Sequence, residues 1–496
     1  MLEDSPDVVL FTDVCSPGFG RYAGPYRIAT ELRDNGFIVQ VVEYFTRWST
    51  DELLYIVRKF VTADCMWIGL STTFLEKDRW TNRNDNVERD MSRAPLTAVP
   101  LTVITGRDDW PEIVNCIRGI NPNIQIVVGG AKAVAVDNNS PFFDIKVVNE
   151  GESSVIDLTN KIMVGQGTGP GARRATGPFR KFYNMPYNGY TDSTIRFEDN
   201  DLIFTNEHLP VEIARGCIFK CGFCAYSLNG KKLWEFNRTP QLVREDIEEI
   251  HRRWGSTGFA FCDDTYNDSV DKVKRYHREF MKLDYQLQWS SYARLDLIIS
   301  HWETARLLYE SGLRSVFFGV ESLNHKSAKS IGKGMKSEKL KDGLYRLKEE
   351  CPDLLINLGM IVGLPHDTEE TILKNDEWLR SEGCPVDTAS YAPFHLSPVK
   401  DSAVSNMSND PEKYGYTVDP TGEWTRNDGF TKQMAKKLTI KLQWRPDASG
   451  RHRAIPFGRL QNIGYTRDDF NSDMGTNTLN ARITVEGIEK KRSCVV

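Results

Sequence analysis

The sequence predicts an α/β protein: a doubly wound parallel sheet, then a partial (β/α)6 barrel, then a small C-terminal extension. Three observations predict it. Through residues 1–165, apolar β-branched runs alternate with helical stretches of about ten residues or more, the rhythm of parallel strands joined by crossover helices. That rhythm stops at 165–177, a Gly-, Pro-, Thr- and Arg-bearing stretch with no hydrophobic period, which reads as a linker. It restarts at Leu209 and continues through six β/α units.

In the first domain (1–165), strands are expected at 7–12, 37–45, 66–72 and 124–128, and helices at 25–35, 51–61 and 111–120. The last strand runs into Gly129-Gly130. A ligand of such a sheet belongs at the carboxyl ends of its strands. The polar stretch 77–109 interrupts the pattern and is expected to form a lid or interface loop. Residues 166–205 are expected as linker and preamble.

The second domain (206–402) begins with a strand at 210–214. Later strands are expected at 258–262, 287–292, 315–319, 355–362 and 388–394. Helical patterns lie between them at 240–253, 270–282, 301–311, 338–350 and 369–381. In barrels of this kind the chemistry sits on loops at the carboxyl ends of the strands. The extension (403–496) is expected to be basic and partly irregular, with one helix at 431–443.

Composition narrows the class. The chain has 496 residues, 40% of them hydrophobic, enough for two or three domains with real cores. Its longest apolar runs are strand-length, so no membrane partner is expected. The acidic start, leading straight into a strand, does not read as a signal peptide. Ten cysteines are too sparse for a disulfide scaffold in a chain this size, and with no export signal they fit a reducing cytoplasm. The net charge of −5 hides an asymmetry: 425–496 holds fourteen Lys or Arg against seven Asp or Glu. A basic tail of this kind is a solvated surface or a contact for nucleic acid.

The most informative residues are Cys217, Cys221 and Cys224, in Arg-Gly-Cys-Ile-Phe-Lys-Cys-Gly-Phe-Cys-Ala-Tyr. Closely spaced cysteines on one loop supply thiolates to an iron–sulfur cluster. Three ligands on four irons leave one iron open to chelate a small molecule. Zinc is the other reading, but zinc usually takes four closing ligands, and no second Cys or His pair follows within twenty residues.

The C-x3-C-x2-C spacing, with Phe223 before the last cysteine, resembles the signature of the radical S-adenosylmethionine family. Four further segments resemble that family in order: Phe259-Ala-Phe-Cys-Asp-Asp264, Trp289-Ser-Ser-Tyr-Ala-Arg294-Leu-Asp296, Phe317-Phe-Gly-Val-Glu321-Ser322 followed by Gly332-Lys333-Gly334, and Gly359-Met-Ile-Val-Gly363-Leu-Pro365. The resemblance implies a [4Fe-4S] cluster on the three cysteines, S-adenosyl-L-methionine on its open iron, and reductive cleavage to a 5′-deoxyadenosyl radical. It also implies an electron donor such as flavodoxin or ferredoxin. Glu321 would accept hydrogen bonds from the cofactor's ribose or ammonium, and Arg294 would pair with its carboxylate. Gly359 and Gly363 would admit the adenine, and Phe223 would pack on its face. Asp263 and Asp264 are open between substrate contact, helix capping and a solvated loop.

The first domain resembles the cobalamin-binding domains upstream of this barrel in one branch of the family. Gly129 and Gly130 match the glycine turn, and Glu150-Gly151-Glu152 matches the Gly-Glu pattern that closes such a domain. No histidine precedes His208, so any cobalamin here would lack an axial imidazole from this domain. The leading expectation is a radical S-adenosylmethionine enzyme acting on an unknown substrate, with methyl transfer if cobalamin binds. One alternative is a non-catalytic iron–sulfur or corrinoid sensor. The other is a methylthiotransferase-like enzyme, for which Cys15, Cys65 and Cys116 would be the extra ligands.

Overall fold

The computed structural model describes residues 5–13, 21–73, 75, 104–130, 132–133, 136–137, 139–163, 181–226, 228–398 and 405–443. They fall into two compact units, divided between Thr205 and Asn206.

The first unit is a parallel sheet of β1 (Val8–Phe11), β2 (Val39–Val42), β3 (Trp67–Ser71), β4 (Gln125–Gly129), β5 (Ile145–Val147) and β6 (Lys181–Tyr183). The strand order is β2-β1-β3-β4-β5-β6. The connecting helices are α1 (Ala23–Asp34), α2 (Thr50–Phe60), α3 (Trp110–Ile120) and α4 (Glu152–Met163). Every residue of β1 and β2 is buried, which is why these strands read as continuous apolar runs. Helix α2 shows the local logic clearly. Ser49 and Glu52 form a reciprocal capping box, acids occupy the first turn, and Arg58 and Lys59 the last. The strand order reverses between β1 and β3, so a ligand crevice is expected at their carboxyl ends.

Residues 181–205 differ from the expected linker. Strand β6 completes the sheet, and the following turns are clamped to α1 and β2. Arg33 forks onto Asp201 with two 2.8 Å bonds, and Tyr187 donates to Glu31 at 2.8 Å. This long-range ion pair and hydrogen bond decide the placement, and no local periodicity announces them. The linker core at 165–177 and most of the 77–109 insertion lie outside the described residues.

The second unit contains β7 (Leu209–Glu212), β8 (Gly258–Cys262), β9 (Gln288–Ala293), β10 (Leu313–Glu321), β11 (Leu355–Val362) and β12 (Thr388–Pro393), parallel and in sequential order. Helices α5 (Pro240–Trp254), α6 (Val270–Phe280), α7 (Leu295–Ser300), α8 (Glu303–Glu310), α9 (His325–Ser330), α10 (Ser337–Glu350) and α11 (Glu369–Leu379) alternate with them. This is the expected six-stranded partial barrel. The layer under the helices is aromatic: Trp289 stacks on Phe261 at 4.8 Å and meets Tyr266 at 4.6 Å.

The described part of the extension is ordered. It comprises α12 (Asn406–Asn409), a hairpin of β13 (Tyr416–Val418) and β14 (Trp424–Arg426), and α13 (Lys432–Gln443). Trp424 is buried and donates to Phe394 O at 2.9 Å. Arg426 donates to Leu364 O and Asp367 O, both at 2.6 Å. The hairpin thus packs over the ends of β11 and β12. Among the described residues no helix is long and apolar enough to cross a membrane.

Candidate active site

The three-cysteine loop follows β7 and is shaped by its backbone. Gly216 has φ +72°, and a Cβ there would collide with Leu228, so only glycine serves. The loop then doubles back: Cys217 N donates to Leu228 O at 3.2 Å, and Gly230 N donates to Cys217 O at 2.7 Å. Cys224 N closes a turn onto Cys221 O at 3.0 Å. Gly222 is held from both sides, donating to Ile331 O and accepting from Met407 N, each at 3.0 Å.

Each sulfur has a distinct neighbour. Cys217 Sγ lies 3.2 Å from Thr265 Oγ1. Arg294 Nη1 donates to Cys221 Sγ at 3.5 Å. The Asn229 side chain faces Cys224 and also donates to its carbonyl at 3.3 Å. Burial pushes the Cys217 and Cys224 thiols up, and negative charge on Cys221 raises both further. Thiols raised by a neighbouring thiolate in this way suit a bound cationic group, which would relieve that repulsion. Among the described residues no three or more His, Cys, Asp or Glu side chains are placed to hold a single metal ion.

Beneath the loop lies a buried ionic cluster. Asp263 pairs with Lys272 at 2.7 Å, with the Asp and Lys side chains 1% and 0% exposed. Its other oxygen accepts Thr265 N–H at 2.9 Å. Burial alone would depress Lys272, but Asp263 and Asp268 together hold it above its ordinary value. Asp264, at the exposed edge of this cluster, accepts the Gly216 N–H, and desolvation by the surrounding protein and the Asp263 charge push its carboxyl up. The structure therefore gives both acids supporting roles: Asp263 anchors Thr265, and Asp264 anchors Gly216. Sequence reasoning missed Thr265 and Lys272. Their signal was a lysine at an apolar-face position of α6, nine residues beyond Asp263.

Arg294 is held rigidly. Asp296 takes its fork at 2.6 and 3.1 Å, and its guanidinium lies 4.1 Å over the Phe219 ring. The Asn267 side chain ties down its backbone N–H and C=O at 2.8 and 2.9 Å. The bidentate face expected for a cofactor carboxylate is thus occupied, and the remaining nitrogen points at Cys221.

Glu321 ends β10 at φ +68°, after a bulge in the β10–β11 register. A non-glycine residue in that region is strained, and such strain gathers at functional sites. Lys333 pairs with Glu321 at 3.0 Å and sits 5.8 Å over the Phe223 ring. Cys217, Cys221, Cys224, Phe223, Arg294 and Glu321 therefore meet at one end of the barrel. Gly359 and Gly363 do not join them in the expected way. A Cβ on Gly359 would lie 2.5 Å from the Phe317 ring, and Gly363 (φ +102°) is packed under Trp424. Their glycines are explained by these protein neighbours.

In the first unit, Gly130 has φ +85°, and a Cβ there would lie 2.9 Å from Thr72 N. Among the described residues, a Cβ on its neighbour Gly129 would meet Val147 O alone, at 3.9 Å. The carboxyl end of β4 is therefore open to close approach by a ligand, as a corrinoid would need. Of the spare cysteines, Cys65 is 1% exposed and its thiol is pushed up to about 12 by burial. Cys116 lies within α3, and Cys15 lies outside the described residues.

Comparison with known proteins agrees with this geometry. Residues 211–379 match the family model described as the radical SAM superfamily. An uncharacterized methyltransferase of Pyrococcus horikoshii is 23% identical over 350 residues, covering 66% of this chain and 73% of its own. Among solved structures, the radical S-adenosylmethionine methyltransferase TsrM from Kitasatospora setae, with cobalamin and a [4Fe-4S] cluster bound, is similar with a TM-score of 0.57 at 16% identity. That match covers 98% of this chain and 100% of the other. The cobalamin-dependent radical enzyme OxsB, with aqua-cobalamin and S-adenosylmethionine bound, is similar with a TM-score of 0.52 at 14% identity, covering 83% and 56%.

Proposed function

We propose, from the match of residues 211–379 to the radical S-adenosylmethionine superfamily, that the protein is a cobalamin-dependent methyltransferase of that superfamily. One observation carries the reading. A single chain joins a three-thiol loop braced on its sulfurs to a parallel sheet whose switch point and open Gly129 suit a corrinoid. The similarity to the methyltransferases named above supports it.

When bound, the cluster and S-adenosylmethionine supply one-electron cleavage of a carbon–sulfur bond, and cobalamin supplies a methyl carrier. Cys217, Cys221 and Cys224 would hold the cluster. Arg294 and Thr265 orient the Cys221 and Cys217 sulfurs, as outer-shell partners of metal ligands do. Glu321, fixed by Lys333, offers an acceptor to the polar end of S-adenosylmethionine, and Phe223 offers a ring face. The reaction takes a substrate and a reductant, for which flavodoxin or ferredoxin is suited. A reducing cytoplasm, which keeps such thiols available to a cluster, suits this chemistry.

The deciding experiment is anaerobic incubation of reconstituted protein with reductant and S-adenosylmethionine, with and without methylcobalamin. Mass detection should show both 5′-deoxyadenosine and S-adenosylhomocysteine. The first product alone would retain a radical enzyme and remove methyl transfer. Neither product would remove the enzymatic reading.

A further inference from the structure

Strand β9 carries an anomaly. Tyr292 lies in the middle of the second sheet, between β8 and β10, yet is 54% exposed. Its opposite-face neighbour Trp289 is 2% exposed, among the aromatics under the helices. Tyr292 therefore faces the barrel interior. In register beside it are Phe317, Asn357 and Thr388, one residue from each of the next three strands. Residues in register on parallel strands share a face. Tyr292 and Phe317 meet edge to face at 5.0 Å and 62°. Asn357 bonds to Thr388 and, at 3.4 Å, to Ser390. On these four strands the layer holds two rings and a neutral polar edge; on β7, Glu212, in register with Cys262 of β8, is paired with Arg215 at 3.2 Å.

The next layer toward the carboxyl ends is built from Gly319 and Gly359, paired in register. The Phe317 ring fills the space beside Gly359, and the Glu321 carboxylate with Lys333 fills the space beside Gly319. The aromatic layer is thus one two-residue step, about 7 Å, below the pair that faces Phe223. A group lying on Tyr292 would be within near contact of the cofactor pocket, as transfer to an unactivated carbon requires.

We propose that Tyr292 and Phe317, with Asn357, Thr388 and Ser390 at their edge, bind the substrate, and that they select a planar aromatic group carrying an uncharged hydrogen-bonding substituent. The proposal rests on the functional reading above and adds its substrate class. An exposed ring edge-on to a second ring offers the offset and T-shaped contacts that aromatic ligands prefer. The amide and hydroxyls reward a donor or acceptor on the ligand. The four strands offer no carboxylate or cation in this layer, and Glu212 is already paired with Arg215, so an ionic group would be desolvated without a partner.

The test uses the full-length protein, anaerobically reconstituted and loaded with S-adenosylmethionine. Two neutral probes, indole-3-carboxamide and cyclohexanecarboxamide, are compared by equilibrium dialysis with mass detection. The wild type should retain the indole amide about tenfold more tightly than the cyclohexane amide. Tyr292→Leu, which keeps bulk but has no ring, should lose that preference, and Tyr292→Phe should keep it. Iron content should be unchanged in both. No preference in the wild type, or an equal preference in Tyr292→Leu, overturns the proposal. If Tyr292→Leu fails to fold, Phe317→Leu is read by the same two criteria. Failure of the functional reading shows separately, as absence of S-adenosylmethionine cleavage by the wild type.

Discussion

Arg294 shows how one side chain can be reassigned by its neighbours. Its fork is closed by Asp296 and its free nitrogen touches Cys221. A donor to a cluster sulfur stabilises the reduced, more negative state. Arg294→Lys should therefore lower the cluster's reduction potential, by on the order of tens of millivolts for one such bond, while iron content is retained. Electrochemical titration checks this, and an unchanged potential would return Arg294 to a purely structural role. Glu321 has the opposite profile, with an acceptor at a strained strand end beside Phe223. Glu321→Ala should weaken S-adenosylmethionine binding by roughly 10–100-fold, with iron content intact, as read by equilibrium dialysis. Asp367 offers a pH test. Burial raises its carboxyl from the ordinary 3.8 to about 6. The folded state therefore holds a proton that the unfolded chain has lost. Stability from this group is greatest below 3.8 and falls as pH rises to about 6. Asp367→Asn should flatten that slope in denaturant titrations between these limits.

At the scale of elements, α6 supports the cysteine loop from below. Its Lys272 is fully buried between Asp263 and Asp268, and Asp263 in turn holds the Thr265 that meets Cys217. Lys272→Met leaves two buried carboxylates without their bonded cation, with the charge of Lys231 left nearby. That should cost about 3–5 kcal/mol, measured by equilibrium unfolding of the apoprotein. Because the loop loses its anchor, the iron bound after reconstitution should fall as well. Full iron loading in this variant would mean that the loop is set by Gly216 and Gly222 alone. The C-terminal hairpin has a parallel function at the other edge of the barrel. Trp424 seats on Gly363, and Arg426 ties down the backbone after β11.

At the scale of the whole molecule, the two units pose a question of cofactor economy. The first has a switch point at β1 and β3 and an open glycine at the end of β4, yet residues 1–207 contain no histidine. Hydroxocobalamin should bind the full-length protein at micromolar concentration, with no axial imidazole contributed by this unit. Its visible spectrum and the nitrogen splitting in the spin resonance of the reduced form report both points. Failure to retain the corrinoid would leave a radical enzyme whose first unit keeps the fold without the cofactor.

Much of this was legible in the chain itself. Strand and helix periods, glycines at turns and the C-x3-C-x2-C spacing are local signals, because backbone geometry and ligand spacing act over a few residues. They determined the two α/β units, the order of the barrel strands and the three thiols. What joins distant segments was not legible. The strand at 181–183, the Arg33–Asp201 fork and the hairpin over Gly363 depend on contacts between residues tens to more than a hundred positions apart. The same holds at the site. Sequence pattern marked Arg294, Gly359 and Gly363, but only the tertiary structure decided what fills the space beside them: Asp296 and Cys221, the Phe317 ring, and Trp424. A pattern fixes which groups a strand end presents, and packing fixes which of them remain free to meet a ligand.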